Sequence, residues 1–268
     1  MTTPVPLRVL VKGASTVNFT SWMGGPRTDF TFPRVIEEQL LAAGVACEVR
    51  QVTMAAERAK TLLPSWQREV LDFSPDVIVL VYGHAETIHL FAPRVLERHV
   101  NSLKARPGRV RQAYRRLFLR PAWKLLVRLQ AAVDARLGHR FRRRMPRKVA
   151  AEVEAYVRQV QTAASPLVFC FEILPPASKA ADWFPGMTAR VHAVNDAMRA
   201  MVARVDRETV RYFDVTPVVT AAVGSDAVAA TPDGFHYSPA IHRAVGESLA
   251  TEILVWAETQ PHLGPARD

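Results

Sequence analysis

Two short stretches of the sequence combine side chains that could carry out nucleophilic catalysis. Gly13–Ser15 supplies a serine hydroxyl, and Asp233–His236 supplies a carboxylate three residues before an imidazole. A turn of this kind can hold the carboxylate against one ring nitrogen and leave the other nitrogen free to accept a proton. The pattern predicts nucleophilic catalysis with Ser15 as nucleophile, His236 as its base and Asp233 as the group that orients the base.

Each of these three residues also has a purely structural explanation. Ser15 could cap a turn, and His236 could bond to the backbone near a helix start. Asp233 stands in a Pro-Asp-Gly sequence, which is ordinary turn chemistry. The presence of all three in one chain favours the catalytic interpretation.

A third polar stretch, Gly83–His89, follows the apolar run Val77–Val81. The spacing of His84, Glu86 and His89 would allow metal binding, but no further cluster of ligands accompanies them. We therefore expect no metal and no cofactor, and we keep these residues as candidates for substrate binding near the serine.

The elements that must position these residues follow from an alternation of short apolar runs and helical patterns. The continuous run Val77–Val81 is typical of a parallel strand that is covered on both faces. Repeated strand–helix units of this kind predict a three-layer, doubly wound α/β fold with a mostly parallel sheet of about five strands. Sites in such sheets lie beyond the carboxyl ends of the strands, where the three polar stretches fall. The predicted strands are Leu7–Val11, Ala46–Val52, Val77–Tyr82, Leu167–Ile173 and Val210–Val215, and the predicted helices are Phe32–Ala43, Ala56–Asp72, Val149–Thr162, Met187–Val205 and Pro239–Glu258.

The three polar stretches together resemble the SGNH/GDSL hydrolases. Gly13–Ser15 resembles the family's Gly-Asp-Ser block, with Ala14 in place of the aspartate, and Gly83–Glu86 stands where the family has Gly-x-Asn-Asp/Glu. Asp233–His236 matches the Asp-x-x-His block. The resemblance covers the body of the chain but not residues 94–148, and it implies a flavodoxin-like SGNH fold and an acyl-Ser15 intermediate.

The resemblance also implies where the oxyanion of the reaction would be bound. The family's oxyanion glycine aligns near Ala56, whose backbone N–H remains available, whereas its oxyanion asparagine aligns with Ala85, which has no side-chain amide. Loss of one such donor costs about 10²- to 10³-fold in rate, unless His84 or His89 compensates. The residues implied for oxyanion and substrate binding are Ser15, Ala56, Gly83, His84, Glu86 and His89.

Three functions remain open at this point. The first is a serine-dependent acyl-ester hydrolase of esterase or lipase type. The second is an O-acyltransferase that moves an acyl group to the alcohol of a sugar or metabolite. The third is a non-catalytic binding protein on the same fold, which the alanines at positions 14 and 85 would favour.

A basic segment, residues 94–148, separates two halves of the predicted single domain 1–268. It holds 18 Lys and Arg against two acidic residues, a net charge of +16, whereas the whole chain carries +10 and the remainder is therefore −6. We expect a helical insertion or lid, with two helices joined near Pro121, over the Ser15 end of the sheet.

Arginines beside Trp123 and several leucines suit an anionic membrane surface or an acyl carrier as partner, while a solvated arginine face is the alternative. Nucleic acid is the least favoured partner, because no known reading module surrounds the charges. Cys47 and Cys170 lie in apolar surroundings and predict reduced, buried thiols. The sequence shows no membrane-spanning run and no leader pattern, so we expect a cytoplasmic protein with peripheral membrane attachment at most.

Overall fold

The computed structural model describes residues 5–20, 25–26, 30–54, 56–88, 108–137 and 143–260. The strands are β1 Leu7–Gly13, β2 Phe19–Thr20, β3 Gly25–Pro26, β4 Cys47–Thr53, β5 Val77–Val81, β6 Leu167–Phe171 and β7 Val210–Phe213. Five of them form one sheet in the order β4-β1-β5-β6-β7 with every neighbouring pair parallel, and β2 and β3 form a separate antiparallel pair. The predicted five-stranded parallel sheet is confirmed.

Helices cover both faces of this sheet. They are α1 Phe32–Ala42, α2 Leu62–Trp66, α3 His84–Thr87, α4 Arg109–Tyr114, α5 Arg120–Leu137, α6 Met145–Ala163, α7 Ser178–Trp183, α8 Met187–Val205, α9 Val215–Val223, α10 Ala227–Ala230 and α11 Pro239–Ala257. Side chains of α1 and α11 pack on one face, and side chains of α2, α6 and α8 pack on the other. Every residue of β5 and β6 is consequently buried, as the continuous apolar runs predict.

The strand order creates a crevice where the candidate site lies. From β1 the chain proceeds to β4 on one side and then to β5 on the other, so the strand order reverses at β1. Ligands of doubly wound sheets bind at such a reversal, beyond the carboxyl ends of the strands. Gly13 at the end of β1 is in register with Thr53 and Val81, so three strands end together at this edge.

A glycine allows the two helices of one layer to approach closely. A Cβ at Gly246 of α11 would lie 2.5 Å from the Cβ of Val35 in α1. No other residue fits at that crossing without moving a helix. Ser238 caps α11, and its hydroxyl accepts the N–H of Ile241, as the Ser-Pro sequence predicts.

The prediction of one helix over Ala56–Asp72 is wrong. The segment contains a 3-10 turn at Ala59–Thr61, the short helix α2 and a π turn at Gln67–Leu71. Ala56 has φ +56°, which no right-handed helix accommodates. Pro64 lacks an N–H and is therefore tolerated only in the first turn of the α-helical part.

Four short helices of the described residues were not predicted, namely α3, α7, α9 and α10. The Val- and Thr-rich sequence of α9 has higher strand than helix propensity, yet tertiary context makes it helical. The fifth strand consequently ends at Phe213, before the predicted Val215.

The described part of the basic segment is helical as predicted, and its second helix begins next to Pro121, also as predicted. The helix α4 leads through a π turn at Arg115–Leu119 into α5, and Pro121 is the second residue of α5. Residues 94–107 and 138–142 of the predicted insertion lie outside the described residues.

A buried ion pair attaches α5 to the body of the protein. Asp134 receives two hydrogen bonds from the guanidinium of Arg190 in α8 and one, 2.7 Å long, from the N–H of Gly186. Arg190 also donates to the carbonyl oxygen of Thr87, the last residue of α3. The lone acid described in α5 therefore fixes this helix beside the segment that follows β5.

Both thiols are free, with Cys170 buried and Cys47 partly exposed. Burial raises the pKa of Cys47 to about 11 and that of Cys170 to about 12, so both remain protonated at neutral pH. Across the described ranges, no helix is long and apolar enough to span a membrane.

Candidate active site

Ser15 lies directly after β1, at the carboxyl edge of the sheet. It opens a 3-10 turn, Ser15–Val17, and is partly exposed, whereas Ala14 before it is buried. Gly13 is required at the strand end, because a Cβ there would lie 2.7 Å from the carbonyl oxygen of Val81. The strand and the turn therefore place the hydroxyl at the carboxyl edge of the sheet.

Asp233 and His236 lie in the loop that precedes α11. One carboxylate oxygen of Asp233 accepts the N–H groups of Phe235 and His236 at 3.0 and 2.9 Å, and the other lies 2.7 Å from Nδ1 of the His236 ring. Gly234 has φ +91°, and a Cβ there would lie 2.3 Å from the carbonyl oxygen of Ala177. The turn thus fixes the imidazole against the carboxylate.

The fold brings the two halves of this arrangement together. Nε2 of His236 lies 2.9 Å from Oγ of Ser15, a residue 221 positions away in the chain. The Asp233 carboxylate, the His236 ring and the Ser15 hydroxyl form one hydrogen-bonded series. This geometry suits transfer of the hydroxyl proton to the ring, with the carboxylate stabilising the resulting imidazolium.

His84 is buried and lies beside Thr16, the residue that follows the serine. Its Nδ1 is 3.4 Å from Oγ1 of Thr16, and its ring contacts the edge of Phe235. Burial, and secondly the nearby His236, lower the pKa of His84 to about 4, so the ring is neutral at pH 7. Its Nε2 is buried and has no hydrogen-bond partner within the described residues.

Gly83 and Glu86 hold the segment around His84. Gly83 precedes α3 with φ +114°, a conformation that favours glycine. The Oε1 atom of Glu86 accepts the N–H of Ala59 at 2.7 Å, and burial raises the pKa of this carboxyl, although the Ala59 N–H acts in the opposite sense. Ala85 is buried and offers no side-chain donor.

Two backbone N–H groups are available near the serine. Neither the N–H of Ser15 nor that of Ala56 donates to any acceptor in the part of the chain that the structure describes. Ala56 is exposed and left-handed, a conformation in which a glycine would be unstrained. These are the two positions at which the sequence implies oxyanion donors.

The other predicted candidate, His89, lies outside the described residues. Within the described ranges, which do not include His89, no group of three or more His, Cys, Asp or Glu side chains suited to a metal occurs.

One residue near the site was not singled out from the sequence. His242 of α11 is fully buried, and its Nδ1 accepts the N–H of Phe32 at 3.2 Å. Burial is the main cause that lowers its pKa to about 3, with His236 the second. Its position next to Ile241 on the apolar face of α11 was the available signal.

The parallel sheet therefore carries a serine, a histidine and an aspartate within hydrogen-bond distance of one another at its carboxyl edge. The sequence profile of the GDSL-like Lipase/Acylhydrolase family matches residues 13–244, and the chain belongs to that family. It is therefore an enzyme of a family of acyl-ester hydrolases.

Solved structures with the same fold are distant in sequence. A lipase/acylhydrolase from Enterococcus faecalis superposes with a TM-score of 0.61 at 14% identity, over 98% of this chain and 100% of that chain. The native aryl esterase of M. smegmatis gives 0.55 at 17% identity, over 93% and 99%. A carbohydrate acetylesterase from Sinorhizobium meliloti gives 0.56 at 14% identity, over 93% and 99%. A comparison with curated proteins finds no match.

Proposed function

We propose that the protein hydrolyses acyl esters through a covalent acyl-Ser15 intermediate. The contact of 2.9 Å between Ser15 Oγ and His236 Nε2 is the observation that carries this proposal. Support also comes from the Asp233 carboxylate, 2.7 Å from the other ring nitrogen. Together they supply a nucleophile, a base and a group that orients the base.

In the first half of the reaction, Ser15 Oγ attacks the ester carbonyl carbon while its proton moves to Nε2 of His236. The N–H groups of Ser15 and Ala56 stabilise the negative charge on the carbonyl oxygen. The tetrahedral species then collapses, the bond to the leaving alcohol breaks, and His236 returns its proton to that alcohol. In the second half, water takes the place of the serine, and the carboxylic acid and free Ser15 are released.

An O-acyltransferase would use the same first half and a different acceptor. A sugar or metabolite alcohol, instead of water, would attack the acyl-serine. The likeness to a carbohydrate acetylesterase makes acylated sugars the first substrates to assay. A binding protein without activity accounts for Ala14 and Ala85 but gives no reason for the hydrogen-bonded series at Ser15.

Labelling with a fluorophosphonate tests the nucleophile. We expect labelling of the wild type at Ser15, none in Ser15→Ala, and full labelling in the control Ser225→Ala, which changes an exposed serine away from the site. A folded wild type that does not react would favour the binding-protein alternative.

Product analysis separates hydrolase from transferase. With p-nitrophenyl acetate, a hydrolase releases nitrophenol and acetate in equal amounts, whether or not a sugar is added. A transferase releases more nitrophenol than acetate when the sugar is present, and the difference appears as acetyl sugar. We expect equal amounts.

We also propose that α4 and α5 attach the enzyme to an anionic membrane surface. Large apolar side chains are exposed along this segment at Val110, Leu117, Phe118, Leu125 and Leu129, each more than half accessible. Apolar side chains exposed on one helical segment beside basic residues are typical of helices that lie in a membrane interface.

The charges beside this apolar surface favour a membrane over a second copy of the chain. Arg120, Lys124 and Arg128 recur every fourth residue of α5 and are exposed. Two copies of this face would bring like charges together, whereas anionic lipids would neutralise them.

Liposome flotation tests the attachment. We expect binding to vesicles with 30% phosphatidylserine at low salt, weaker binding at 0.5 M salt, and loss of binding in Leu125→Ser/Leu129→Ser. The control Leu71→Ser changes an exposed leucine elsewhere and should bind normally. Salt-independent behaviour, or retention of an acyl carrier protein in place of vesicles, would contradict the membrane assignment.

A further inference from the structure

A cavity with a basic rim opens beside α3, next to the active-site loops. Its volume is about 400 Å³. Arg58 and Lys60 come from the loop after β4, Arg144 and Lys148 come from the start of α6, and Glu86 of α3 lies between them. We call this space the basic cavity.

Most of the positive charge in the basic cavity is uncompensated. Arg58, Lys60 and Arg144 form no ion pair or hydrogen bond with any other side chain of the described ranges. Lys148 lies 3.9 Å from Glu152, and its side chain is largely exposed. The lining therefore holds four basic side chains, from two distant parts of the chain, against the carboxyl groups of Glu86 and Glu152, and this excess of positive charge attracts an anion.

Glu86 contributes an unpaired polar atom to the same space. The residue is only 9% exposed. Its Oε1 is bound to the Ala59 N–H, whereas Oε2 is buried with no hydrogen-bond partner in the described protein. Burial also raises the pKa of this carboxyl, although the Ala59 N–H and Arg58 act in the opposite sense.

We propose that the basic cavity binds a phosphate monoester group on the substrate of the enzyme. Two guanidinium groups and an ammonium group match a dianion with three terminal oxygens better than a carboxylate, which has two oxygens and one charge.

The location of the cavity links it to the reaction. Arg58 follows the proposed oxyanion donor Ala56 by two residues, and Glu86 follows His84, which contacts Thr16 beside the nucleophile, by two residues. Two residues of chain span at most about 7 Å. A phosphate held there would therefore belong to the leaving-group or acyl part of a small ester, and this role rests on the proposed function.

Kinetics with a matched pair of esters test the role of the cavity. Monoacetylglycerol phosphate and monoacetylglycerol differ only in the phosphate. We expect the wild type to prefer the phosphorylated ester by at least about tenfold in kcat/KM, as expected for one or two lost charge-assisted contacts. Arg58→Gln/Arg144→Gln should reduce the preference to about one and leave turnover of the neutral ester unchanged.

Two further variants guard against trivial explanations. Arg158→Gln/Arg243→Gln removes the same charge from exposed positions elsewhere and should keep the preference. Glu86→Gln removes a carboxyl group that can carry negative charge from the lining, so it should bind inorganic phosphate at least as tightly as the wild type in calorimetry. Equal turnover of both esters by the wild type, or a preference that survives loss of both arginines, would overturn the proposal.

Failure of this inference is distinguishable from failure of the proposed function. Fluorophosphonate labelling and turnover of the neutral ester report on Ser15 alone, whereas calorimetry with inorganic phosphate reports on the cavity alone. If Ser15 is reactive but the protein does not bind phosphate, only the proposal for the basic cavity is rejected. If the protein binds phosphate but Ser15 is unreactive, only the proposed esterase function is rejected.

Discussion

At the scale of single residues, the role of Asp233 depends on the different hydrogen-bond partners of its two carboxylate oxygens. One oxygen accepts backbone N–H groups within the turn, and the other meets the His236 ring. Asp233→Asn keeps an oxygen for the backbone but places an amide N–H against the ring, which favours the wrong tautomer. We expect kcat to fall by about 10³- to 10⁴-fold with an unchanged fold, measured on p-nitrophenyl acetate.

The control for this prediction is Asp196→Asn, which changes a largely exposed aspartate in an ion pair with Arg199. It should keep full activity. If Asp233→Asn retained more than a tenth of the wild-type rate, the carboxylate would not be orienting the base.

The backbone of Ala56 is strained, and a glycine at this position would remove the strain. Its φ of +56° crowds the Cβ, whereas glycine adopts this conformation without strain. Ala56→Gly should raise the free energy of unfolding by about 1 kcal/mol and leave kcat within twofold, because the N–H is retained. Urea denaturation measures the first and an ester assay the second.

A matched substitution with the opposite sign makes this prediction sharper. Ala151→Gly, at an exposed position inside α6, should lower the free energy of unfolding by about 1 kcal/mol. Equal effects at both positions would mean that Ala56 is not strained.

The sequence predicted the chemistry of individual residues better than their surroundings. Residue types and positions at strand ends were sufficient to select Ser15, Asp233 and His236, which the fold places within hydrogen-bond distance. The burial of His84 and the basic cavity around Glu86 depend on contacts between distant segments. No local pattern reports such contacts.

At the scale of elements, the ion pair between Asp134 and Arg190 determines how α5 lies on the body. Both side chains are almost completely buried. Removing the Asp134 carboxylate leaves the charge of Arg190 buried without a partner. Asp134→Asn should therefore lower the free energy of unfolding by about 3 kcal/mol. Urea denaturation and the rate of tryptic cleavage at α5 measure the loss.

A double-mutant cycle identifies the cause. In Asp134→Leu/Arg190→Met both charges are gone, and much of the stability should return. Losses that simply add would show that the two residues act separately, which would contradict the pairing.

Element boundaries were predictable where one pattern dominated. The helix Met187–Val205 was predicted with the bounds that the structure has, because its apolar periodicity is uninterrupted. The segment Ala56–Asp72 failed, because the left-handed residue at its start is an alanine rather than a glycine. The sequence contained no warning of that backbone conformation.

At the scale of the whole molecule, the fold followed from the alternation of strands and helices, and the family profile over residues 13–244 agrees with it. The position of the insertion did not follow. Asp134 is one of the two acidic residues of the basic segment, and the sequence gives no sign that it makes the buried contact that attaches α5. Burial of a charged side chain depends on contacts made in the folded molecule, and the residues next to it in the sequence do not predict it.

Two buried histidines make the stability of the whole molecule depend on pH. Burial lowers the pKa of His84 to about 4 and that of His242 to about 3, whereas an unfolded chain has histidines near the ordinary 6.5. Between these values the unfolded state binds more protons than the folded state. The free energy of unfolding therefore falls as the pH drops below 6.5, and the loss from each group is complete only near its folded pKa.

Urea denaturation between pH 6.5 and 5 measures this effect where most carboxylates are still ionised. Each buried histidine should contribute a loss of about 1.5 kcal/mol over that range, since one pKa unit corresponds to about 1.4 kcal/mol and an unfolded histidine is already half protonated at pH 6.5. His84→Gln/His242→Gln should be less stable at pH 7.5 but should lose much less on acidification. His192→Gln, at an exposed position of α8, should follow the wild type. The double variant and the wild type could instead lose stability in parallel. The two rings would then have similar pKa values in the folded and unfolded states, and their burial would not govern the acid response of the enzyme.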